Sequence, residues 1–350
     1  MIVGATRKRF WVAAFIGLAV FAYTIKRADF EKLVQHAEKI DLVWGALVLL
    51  SSALSYVCIA AVLHRLLKGV GYSLSFASTF KISLLSCTLN YLMALGGLSG
   101  VAAKVYLLSK EKIPPSNTLS ISMVHGFLTN TVAVVFIYLG FFFLYSEYKM
   151  GTREKEAGLV VLLIAFLLTW ITIQTIVHEA FRKGAWRLLL KGGNALCRLV
   201  RRPQWINRER AEIFFDNFNR SMNLLMRKAG VLVIPATLAL LDWALMFLCL
   251  KLSFLAVHYP VDNRSLLLGF SVGIFTSLFS ITPAALGLME GSMAGSFYLM
   301  GLDYDYALLA TLIYRIAYYF LPIFTSFFFY RRFFAPAKDK GKPGISARET

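Results

Sequence analysis

The chain has 350 residues, of which 58% are hydrophobic and 16% are charged, and its mean hydropathy is +0.65. Soluble domains carry roughly 25% charged residues, so this composition excludes an ordinary soluble fold and predicts an all-α polytopic membrane protein. The formal net charge is +18, and because Lys and Arg collect in cytoplasmic loops beside anionic headgroups, it predicts contact with anionic membrane lipids and not with nucleic acid.

Six apolar segments are predicted to cross the bilayer as helices, for which about 20 residues are typical. These segments cover residues 10–25, 42–63, 118–145, 158–177, 231–257 and 306–330. Arg7, Lys8 and Arg9 precede the first segment, and this positive flank predicts a cytoplasmic N-terminus and an uncleaved first helix. We therefore expect a multi-pass protein of the cytoplasmic (inner) membrane with both termini in the cytoplasm.

A broken apolar stretch over residues 80–110 lies between the second and third crossings. Gly96, Gly97 and Gly100 interrupt it, and the limb that follows contains Lys104. About 12 residues of helix span only ~18 Å of a ~30 Å hydrocarbon core, so this limb is too short to cross. The pattern predicts a re-entrant helical hairpin that enters and leaves on the cytoplasmic side and turns at the glycines.

The loop over residues 181–228 is rich in arginine and lysine and is therefore expected in the cytoplasm. Phe214, Phe218, Met222 and Leu225 recur within it at helical spacing. This spacing predicts an amphipathic helix, either on the membrane surface or packed under the bundle. The basic residues could form a polybasic lipid sensor, although an ordinary positive-inside loop is the favoured interpretation.

A second broken stretch covers residues 265–300. Pro283, several small residues and Gly291 interrupt it, and an ionisable residue, Glu290, lies inside it. Irregular backbone at membrane depth is tolerated only where it is buried in protein or lines a cavity, and a carboxylate there marks a candidate functional site. Acidic residues follow from Asp303, so this hairpin is expected to enter from outside. Two broken hairpins entering from opposite sides are typical of an alternating-access site near the midplane.

Three charged residues in the C-terminal half are candidate binding groups. Glu290 could be stabilised by free N–H groups at a helix start, but a headgroup or proton site is preferred. Arg315 could form a structural ion pair with Glu290 or with Asp242, or bind a phosphate through its planar guanidinium, and both interpretations stay open. Asp242 lies near the middle of the fifth crossing, where function and pairing with Arg315 are equally supported.

The first hairpin and the helix after it supply further candidates. Lys104 is either a lysine that snorkels to the interface or a phosphate contact on the inner side. Asn90 precedes the glycine turn and is expected to cap it or to bond exposed carbonyl groups. His125 is interpreted as a satisfied buried histidine. The glycines of both hairpins, including Gly287 and Gly291, are interpreted as hinge and close-packing positions.

Enzymatic chemistry has little support in this sequence. The histidines are scattered, and no Ser-His-Asp, metal-ligand or phosphate-loop spacing is present, so no catalytic residue, metal or cofactor is predicted. The four cysteines (Cys58, Cys87, Cys197 and Cys249) lack metal-ligand spacing and are expected to be unpaired thiols.

The second hairpin and the last crossing carry a motif of proline, small residues, Gly-x-x-Glu-Gly and a later arginine. Its residues here are Pro283, Gly287, Glu290, Gly291 and Arg315. With this motif, the chain resembles the lysylphosphatidylglycerol synthase transmembrane, or flippase-like, family over about residues 10–332.

An earlier block of that family is also represented, in altered form. It is similar to Asn90, Gly100, Val101, Lys104 and the apolar pair after them, Leu107 and Leu108. Val101 stands where the family usually has an acid, and Lys104 stands where it usually has an arginine. The next helix has His125 and Asn130 where the family often carries charges.

The resemblance implies one flippase-like membrane domain over residues 1–332. The tail over residues 333–350 is polar and contains proline and glycine, so it is expected to be disordered and cytoplasmic. The resemblance also implies translocation of a lipid substrate, a phospholipid or a polyprenyl-phosphate-type lipid, with the phosphate met by Lys104 and Arg315. Glu290 and Asp242 would balance these charges, bind a cationic headgroup or carry a proton.

Two other functions remain as alternatives at this point. The chain could be a non-transporting scaffold for a lipid or envelope biosynthetic enzyme, with the basic loop at 181–228 as the docking surface for that membrane partner. An integral-membrane lipid-modifying enzyme is the third alternative. Aminoacyl transfer is not expected, since about 20 residues follow the last predicted helix and no soluble transferase domain fits there.

Overall fold

The computed structural model describes residues 2–93, 98–147, 152–199, 208–227, 229–279 and 282–334. Within these ranges every regular element is a helix. The α-helices in chain order are α1 (Ile2–Arg27), α2 (Phe30–Glu38), α3 (Leu42–Val70), α4 (Phe76–Leu92), α5 (Leu98–Lys110), α6 (Pro115–Glu147), α7 (Thr152–Val177), α8 (Glu179–Leu199), α9 (Arg208–Arg227), α10 (Ala229–Ala256), α11 (Asn263–Phe279), α12 (Leu288–Leu299), α13 (Tyr304–Arg315) and α14 (Leu321–Phe334). A 3₁₀ turn (Pro283–Ala285) precedes α12, and a π-helical segment (Ile316–Phe320) joins α13 to α14.

Among the described residues, five helical stretches are long and apolar enough to cross a bilayer. They are α3, α6, α7, α10 and the joined α13–α14 stretch, and α1 makes a sixth when it is taken with α2, from which it bends by 84°. These are the six segments that hydropathy predicts. The prediction of an all-α polytopic fold is confirmed, and the chain is a multi-pass membrane protein.

The helix α2 lies between the first two predicted crossings, where the sequence analysis predicts no helix. Its start is capped by Asp29, whose carboxylate accepts hydrogen bonds from the backbone N–H groups of Glu31 and Lys32 at 3.2 and 3.3 Å. An aspartate at this position satisfies N–H groups that the first turn leaves free. Leu33 is buried on the inner face of the helix. This cap is the signal by which the helix could have been found.

The helices α3 and α10 form an antiparallel pair at the centre of the bundle. The backbone N–H of Asp41 donates to the carbonyl oxygen of Ala256 at 2.9 Å, and the Ser51 hydroxyl donates to the carbonyl oxygen of Leu245 at 2.8 Å. At the other end of the pair, Gly69 lies close to a side chain of α9 and to one at the start of α10. We call the end of the bundle with α9 the α9 end, and the end with Asp41 and Ala256 the far end.

The first hairpin consists of α4 and α5 and opens at the α9 end, where α3 ends and α6 begins. Its two limbs approach each other closely at Gly100. A Cβ added there would lie only 3.1 Å from the Cβ of Asn90 and from the Ser86 carbonyl oxygen. The first limb begins at Phe76, four residues before the predicted start. Gly96 and Gly97 of the predicted turn lie outside the described residues.

The second hairpin consists of α11, the 3₁₀ turn and α12, and it opens at the far end, where α10 ends. Its limbs also pack through small residues, since Gly269 faces the ring of Phe297 and a Cβ at Gly273 would lie 2.6 Å from the Met293 sulfur. The two hairpins therefore enter the bundle from opposite ends. This arrangement is the one that the glycine and proline breaks predict.

The helices α8 and α9 form a layer at the α9 end, beneath α3, α6 and α10. Phe218, Met222 and Leu225 of the predicted apolar stripe are buried, and Phe214 stacks on Trp186 with ring centroids 6.0 Å apart. Of the two arrangements expected for the amphipathic helix, the structure therefore shows the one packed under the bundle.

A buried arginine that the sequence analysis did not single out joins α8 to α9. Arg182 donates from Nε to Asn219 at 2.7 Å and from Nη2 to Asn223 at 2.6 Å. Asn223 in turn donates to Glu179 at 3.1 Å. Hydrogen bonds from Lys183 and then from Asn223 lower the pKa of the Glu179 carboxyl to about 2. The acid therefore stays ionised and keeps this connection at neutral pH.

The last crossing is continuous but changes its winding in the π-helical segment. Pro322 has no backbone N–H, so it leaves the carbonyl of Tyr318 without its usual intrahelical donor. The Tyr56 hydroxyl from α3 donates to that carbonyl at 2.8 Å, and the N–H of Leu321 bonds five residues back to Ile316. The proline therefore accounts for the irregular turn.

Candidate functional site

The tip of the second hairpin is an irregular loop packed inside the bundle. Ala284 and Ala285 adopt φ values of 54° and 55°, and Gly287 adopts a φ value of 79°. The left-handed region costs a non-glycine residue roughly 1 kcal/mol or more. Contacts to the loop must therefore hold this backbone in place.

The main contact is an ion pair between α12 and α13. Arg315 Nε lies 2.8 Å from Glu290 Oε1, and both side chains are 0% exposed. The second carboxylate oxygen of Glu290 accepts the backbone N–H of Gly287 at 2.8 Å. The pair thus joins the start of α12 to the last crossing and satisfies a free N–H group at a helix start.

The rest of the Arg315 guanidinium is also engaged. Its Nη2 donates to the carbonyl oxygen of Ala284, and its Nη1 lies 3.4 Å from the sulfur of Met289. Its Cζ stands 4.2 Å from the ring centroid of Tyr319. These contacts match the structural ion-pair interpretation of Arg315 and leave no open face for a phosphate in this conformation. Arg315 pairs with Glu290 and not with Asp242.

The helix α1 covers the loop from the side. Gly17 is buried against Thr282 and Leu286, and Gly291 faces Thr24, which lies about two turns after Gly17 on α1. A Cβ added at Gly287 would lie 2.5 Å from the Gly17 carbonyl oxygen. Close packing is therefore an observed role for these glycines.

Replacing Gly287 by alanine is expected to lower the free energy of unfolding by about 2 kcal/mol or more. The added Cβ would meet backbone atoms that cannot move aside, and a φ of 79° is unfavourable for alanine. The change should appear as a lower thermal unfolding temperature in detergent. The control is Ala284→Gly at a φ of 54°. In this control, glycine relieves the strain of the left-handed backbone but also gives the unfolded chain more conformational freedom. The two effects offset each other, so the unfolding temperature should stay close to that of the wild type. An unchanged temperature for Gly287→Ala would contradict the packing.

A separate cavity of about 420 Å³ lies at the tip of the first hairpin. Side chains from α3, α4, α5, α6, α10 and the π-helical segment line it. The lining includes Asn90, Lys104, His125, Asn130 and Asp242. We call it the polar cavity. It brings together five polar residues that the sequence analysis singled out on four different helices, and its volume is typical of ligand sites.

The two charged residues of the polar cavity are not neutralised by the protein. In the described part of the chain, no acidic group lies within 4 Å of the Lys104 amine, and no Lys or Arg lies that close to the Asp242 carboxylate. Asp242 instead accepts a hydrogen bond from the hydroxyl of Ser55, which also lies 3.2 Å from the hydroxyl of Tyr318. The cavity therefore offers the amine of Lys104 and the hydrogen-bonded carboxyl group of Asp242.

Three further polar atoms in the cavity wall have no hydrogen-bond partner in the described protein. They are Ser122 Oγ, His125 Nδ1 and Trp243 Nε1. Ser122 is 5% exposed and His125 is 4% exposed. Because buried polar groups are nearly always paired, these atoms on α6 and α10 are candidate hydrogen-bond partners for a polar ligand or for water in the cavity. The interpretation of His125 as a fully satisfied core histidine does not account for its free Nδ1.

The ring of Tyr319 lies between the polar cavity and the ion pair. Tyr319 lines the cavity and also stacks against the Arg315 guanidinium. Its ring lies 4.9 Å from that of Tyr91 at the end of α4. The tips of the two opposed hairpins thus meet at this tyrosine pair, with Asn90 and Lys104 on one side and Glu290 on the other.

Comparison with known proteins agrees with this architecture. Residues 10–325 match the family described as "Lysylphosphatidylglycerol synthase TM region". The chain is similar to the UPF0104 membrane protein MJ1595 of Methanocaldococcus jannaschii, with 24% identity over 309 residues, or 87% of this chain and 88% of that protein. It is also similar to a UPF0104 membrane protein of Methanothermobacter thermautotrophicus, with 34% identity over 114 residues, which is 33% of this chain and 32% of that protein, about a third of each. Since the family match covers nearly the whole membrane region, the chain belongs to the lysylphosphatidylglycerol synthase TM region family.

Proposed function

We propose that this protein is a lipid translocase that carries a lipid with an anionic phosphate, either a phospholipid or a polyprenyl-phosphate-type lipid, across the cytoplasmic membrane. The observation that carries the proposal is the polar cavity. It lies inside a membrane protein and contains Lys104 and Asp242, each without an ion-pair partner in the described chain. Family membership supports a membrane domain of this kind and does not identify the lipid.

The cost of charge at membrane depth favours a ligand in the cavity. A charged side chain near the bilayer centre costs several kcal/mol unless it is paired or hydrated. An anionic phosphate beside Lys104 would offset that cost, and the ring nitrogens of His125 and Trp243 could donate further hydrogen bonds. Asp242 on the opposite helix would balance the charge, receive a cationic headgroup or exchange a proton. Asn90, which shares this wall, would position the phosphate.

Glu290 and Arg315 have a different proposed role in this conformation. They hold the tip of the second hairpin closed, since Glu290 accepts the Gly287 N–H and Arg315 bonds both Glu290 and the Ala284 carbonyl oxygen. In an alternating cycle, the loop would release Arg315 to meet the phosphate from the far end. The charged pair would then act as a structural lock in one state and as a binding site in the other.

The basic layer at the α9 end supports an orientation with this end in the cytoplasm. The helix α8 and the start of α9 carry exposed basic residues, including Lys183, Arg187, Lys191 and Arg210. Such residues favour the cytoplasmic side and contact anionic headgroups. The first hairpin and the polar cavity would then open to the cytoplasm, and the second hairpin would open to the outside.

The decisive experiment reconstitutes the purified chain in liposomes that contain headgroup-labelled lipids. A membrane-impermeant quencher measures how fast the labels of the inner leaflet become accessible. The wild-type protein is expected to expose at least one class of phosphate-bearing lipid faster than protein-free liposomes do. If no lipid class moves and Glu290→Gln leaves the cellular phenotype intact, the translocase proposal fails and the scaffold alternative takes its place.

A further inference from the structure

A second cavity lies on the lipid-facing side of the polar cavity. It has a volume of about 130 Å³ and lies between α6, α7 and α11. Its lining includes Phe127, Ala133, Ile137, Ile164, Ala165 and Leu278. We call it the apolar groove. No charged side chain is among the described residues that line it.

Two threonines in the groove present methyl groups more than hydroxyls. The Thr131 hydroxyl donates to the carbonyl oxygen of Phe127 at 2.7 Å, and the Thr169 hydroxyl donates to the carbonyl oxygen of Ala165 at 2.8 Å. Each hydroxyl is thus satisfied within its own helix. The groove surface is therefore suited to a hydrocarbon chain.

The groove has the membrane on its outer side. The helix α7 packs along α6, and its end packs on α8 and α9. Leu163, Phe166 and Leu167 on its outer face are 57%, 59% and 54% exposed. In a membrane this face meets acyl chains, so a lipid tail could enter the groove sideways, between helices, without crossing water.

Asn130 joins the groove to the polar cavity. It lines both of them, and it lies near the middle of α6 with an exposed side chain. An exposed amide at this depth is costly against hydrocarbon alone, because its donors and acceptor would lose water without gaining partners. A ligand whose polar part ends at Asn130 and whose apolar part begins there fits both surfaces.

We propose that the apolar groove holds an acyl or prenyl chain of the lipid whose phosphate occupies the polar cavity, with Asn130 bonding the polar atoms at the junction. This inference rests on the proposed function, because it takes the polar cavity as the headgroup site. It adds the tail position and a lateral entry path between α6, α7 and α11. The ligand it selects is an intact lipid, and a free phosphate compound would occupy the polar cavity without the groove.

The test uses the full chain in phosphatidylcholine vesicles doped with phosphatidylglycerol that carries a photoreactive diazirine in one acyl chain. The wild-type protein is expected to crosslink within residues 127–137 and 164–172. Ala165→Trp fills the groove and should reduce this crosslinking at least tenfold. Leu167→Trp places the same side chain on the outer face of α7 and should leave it unchanged. Thermal unfolding checks that both variants fold, and Ala133→Leu replaces Ala165→Trp if that variant is unstable.

A second measurement separates failure of the groove from failure of the headgroup site. Binding of soluble glycerol 3-phosphate should be lost in Lys104→Gln and unchanged in Ala165→Trp. Two results would contradict the proposal that the groove holds a lipid tail. One is crosslinking that persists in a folded variant with a filled groove, and the other is crosslinking spread evenly over the outer face of α7. Either result would show only annular lipid. The groove-filled variant could instead show tenfold-reduced crosslinking while the wild-type protein exposes no lipid in the liposome assay. This combination would support the tail site in the groove and contradict the translocase function.

Discussion

Arg315→Met is expected to lower the free energy of unfolding by about 3–5 kcal/mol, the cost of removing one partner from a buried ion pair. Arg315 and Glu290 are both 0% exposed, so methionine would leave the carboxylate buried with only the Gly287 N–H as a partner. It would also free the Ala284 carbonyl oxygen, which now accepts from the guanidinium. Thermal or chemical unfolding of the purified protein in detergent measures the loss.

The double variant Glu290→Leu with Arg315→Met provides the control. Replacing a buried pair by apolar residues of similar size is often nearly neutral, because the desolvation cost of both charges disappears together. The double variant is therefore expected to be more stable than either single variant, with a coupling energy of about 1 kcal/mol or more. Simple addition of the two single losses would contradict a structural pair. A stable double variant that moves no lipid would show that the charges also serve transport.

The broad fold could be predicted because membrane insertion constrains each segment separately. The length and hydropathy of a segment decide whether it crosses, and a cluster of glycines or a proline among small residues near its middle marks the two segments that turn back. Gly100 illustrates this, since its missing side chain allows α5 to contact Asn90 on α4. Segment length, hydropathy and glycine or proline breaks are all local properties, so they can be read from one stretch of sequence.

The partners within the site could not be predicted, because they depend on the registers of helices that are distant in the chain. Asp242 and Glu290 were equally reasonable partners for Arg315 until the register of α12 against α13 was known. Arg182 belongs to the loop at 181–228 that the sequence analysis describes only as basic, although it is buried and bonded to two asparagines of α9. The free Nδ1 of His125 likewise becomes visible only after α6 is placed beside the polar cavity.

The polar cavity shows what a degraded motif can still indicate. Asn90, Lys104 and Asp242 lie on α4, α5 and α10, and all three line the polar cavity. Val101 lines the same cavity one turn before Lys104. Lys104 therefore has no carboxylate neighbour on its own helix turn, and this favours an anionic ligand at its ammonium group.

Lys104→Gln is therefore expected to weaken the binding of an anionic lipid by about 10- to 100-fold, since a hydrogen bond to a charged group contributes about 1.5–3 kcal/mol. Glutamine keeps the polar character and most of the length but removes the charge. Lys104→Arg, which keeps the charge, should retain most of the affinity. Lys68→Gln removes an exposed charge at the same end of the bundle, outside the cavity, and should change affinity little. Fluorescence titration with a labelled phosphatidylglycerol in detergent measures these affinities.

Asp242→Asn should change the same affinity in the opposite direction. Removing the carboxylate from the cavity wall removes repulsion of a phosphate, while asparagine can still accept the hydrogen bond from Ser55. Tighter binding with slower lipid release would identify Asp242 as the group that balances Lys104 during transport.

If both Lys104→Gln and Asp242→Asn weaken binding equally, the cavity instead recognises a zwitterionic headgroup, with Lys104 on its phosphate and Asp242 on its cation. The two single variants, measured on an anionic lipid and on a zwitterionic one, therefore distinguish the two headgroup classes by the sign of the Asp242 effect.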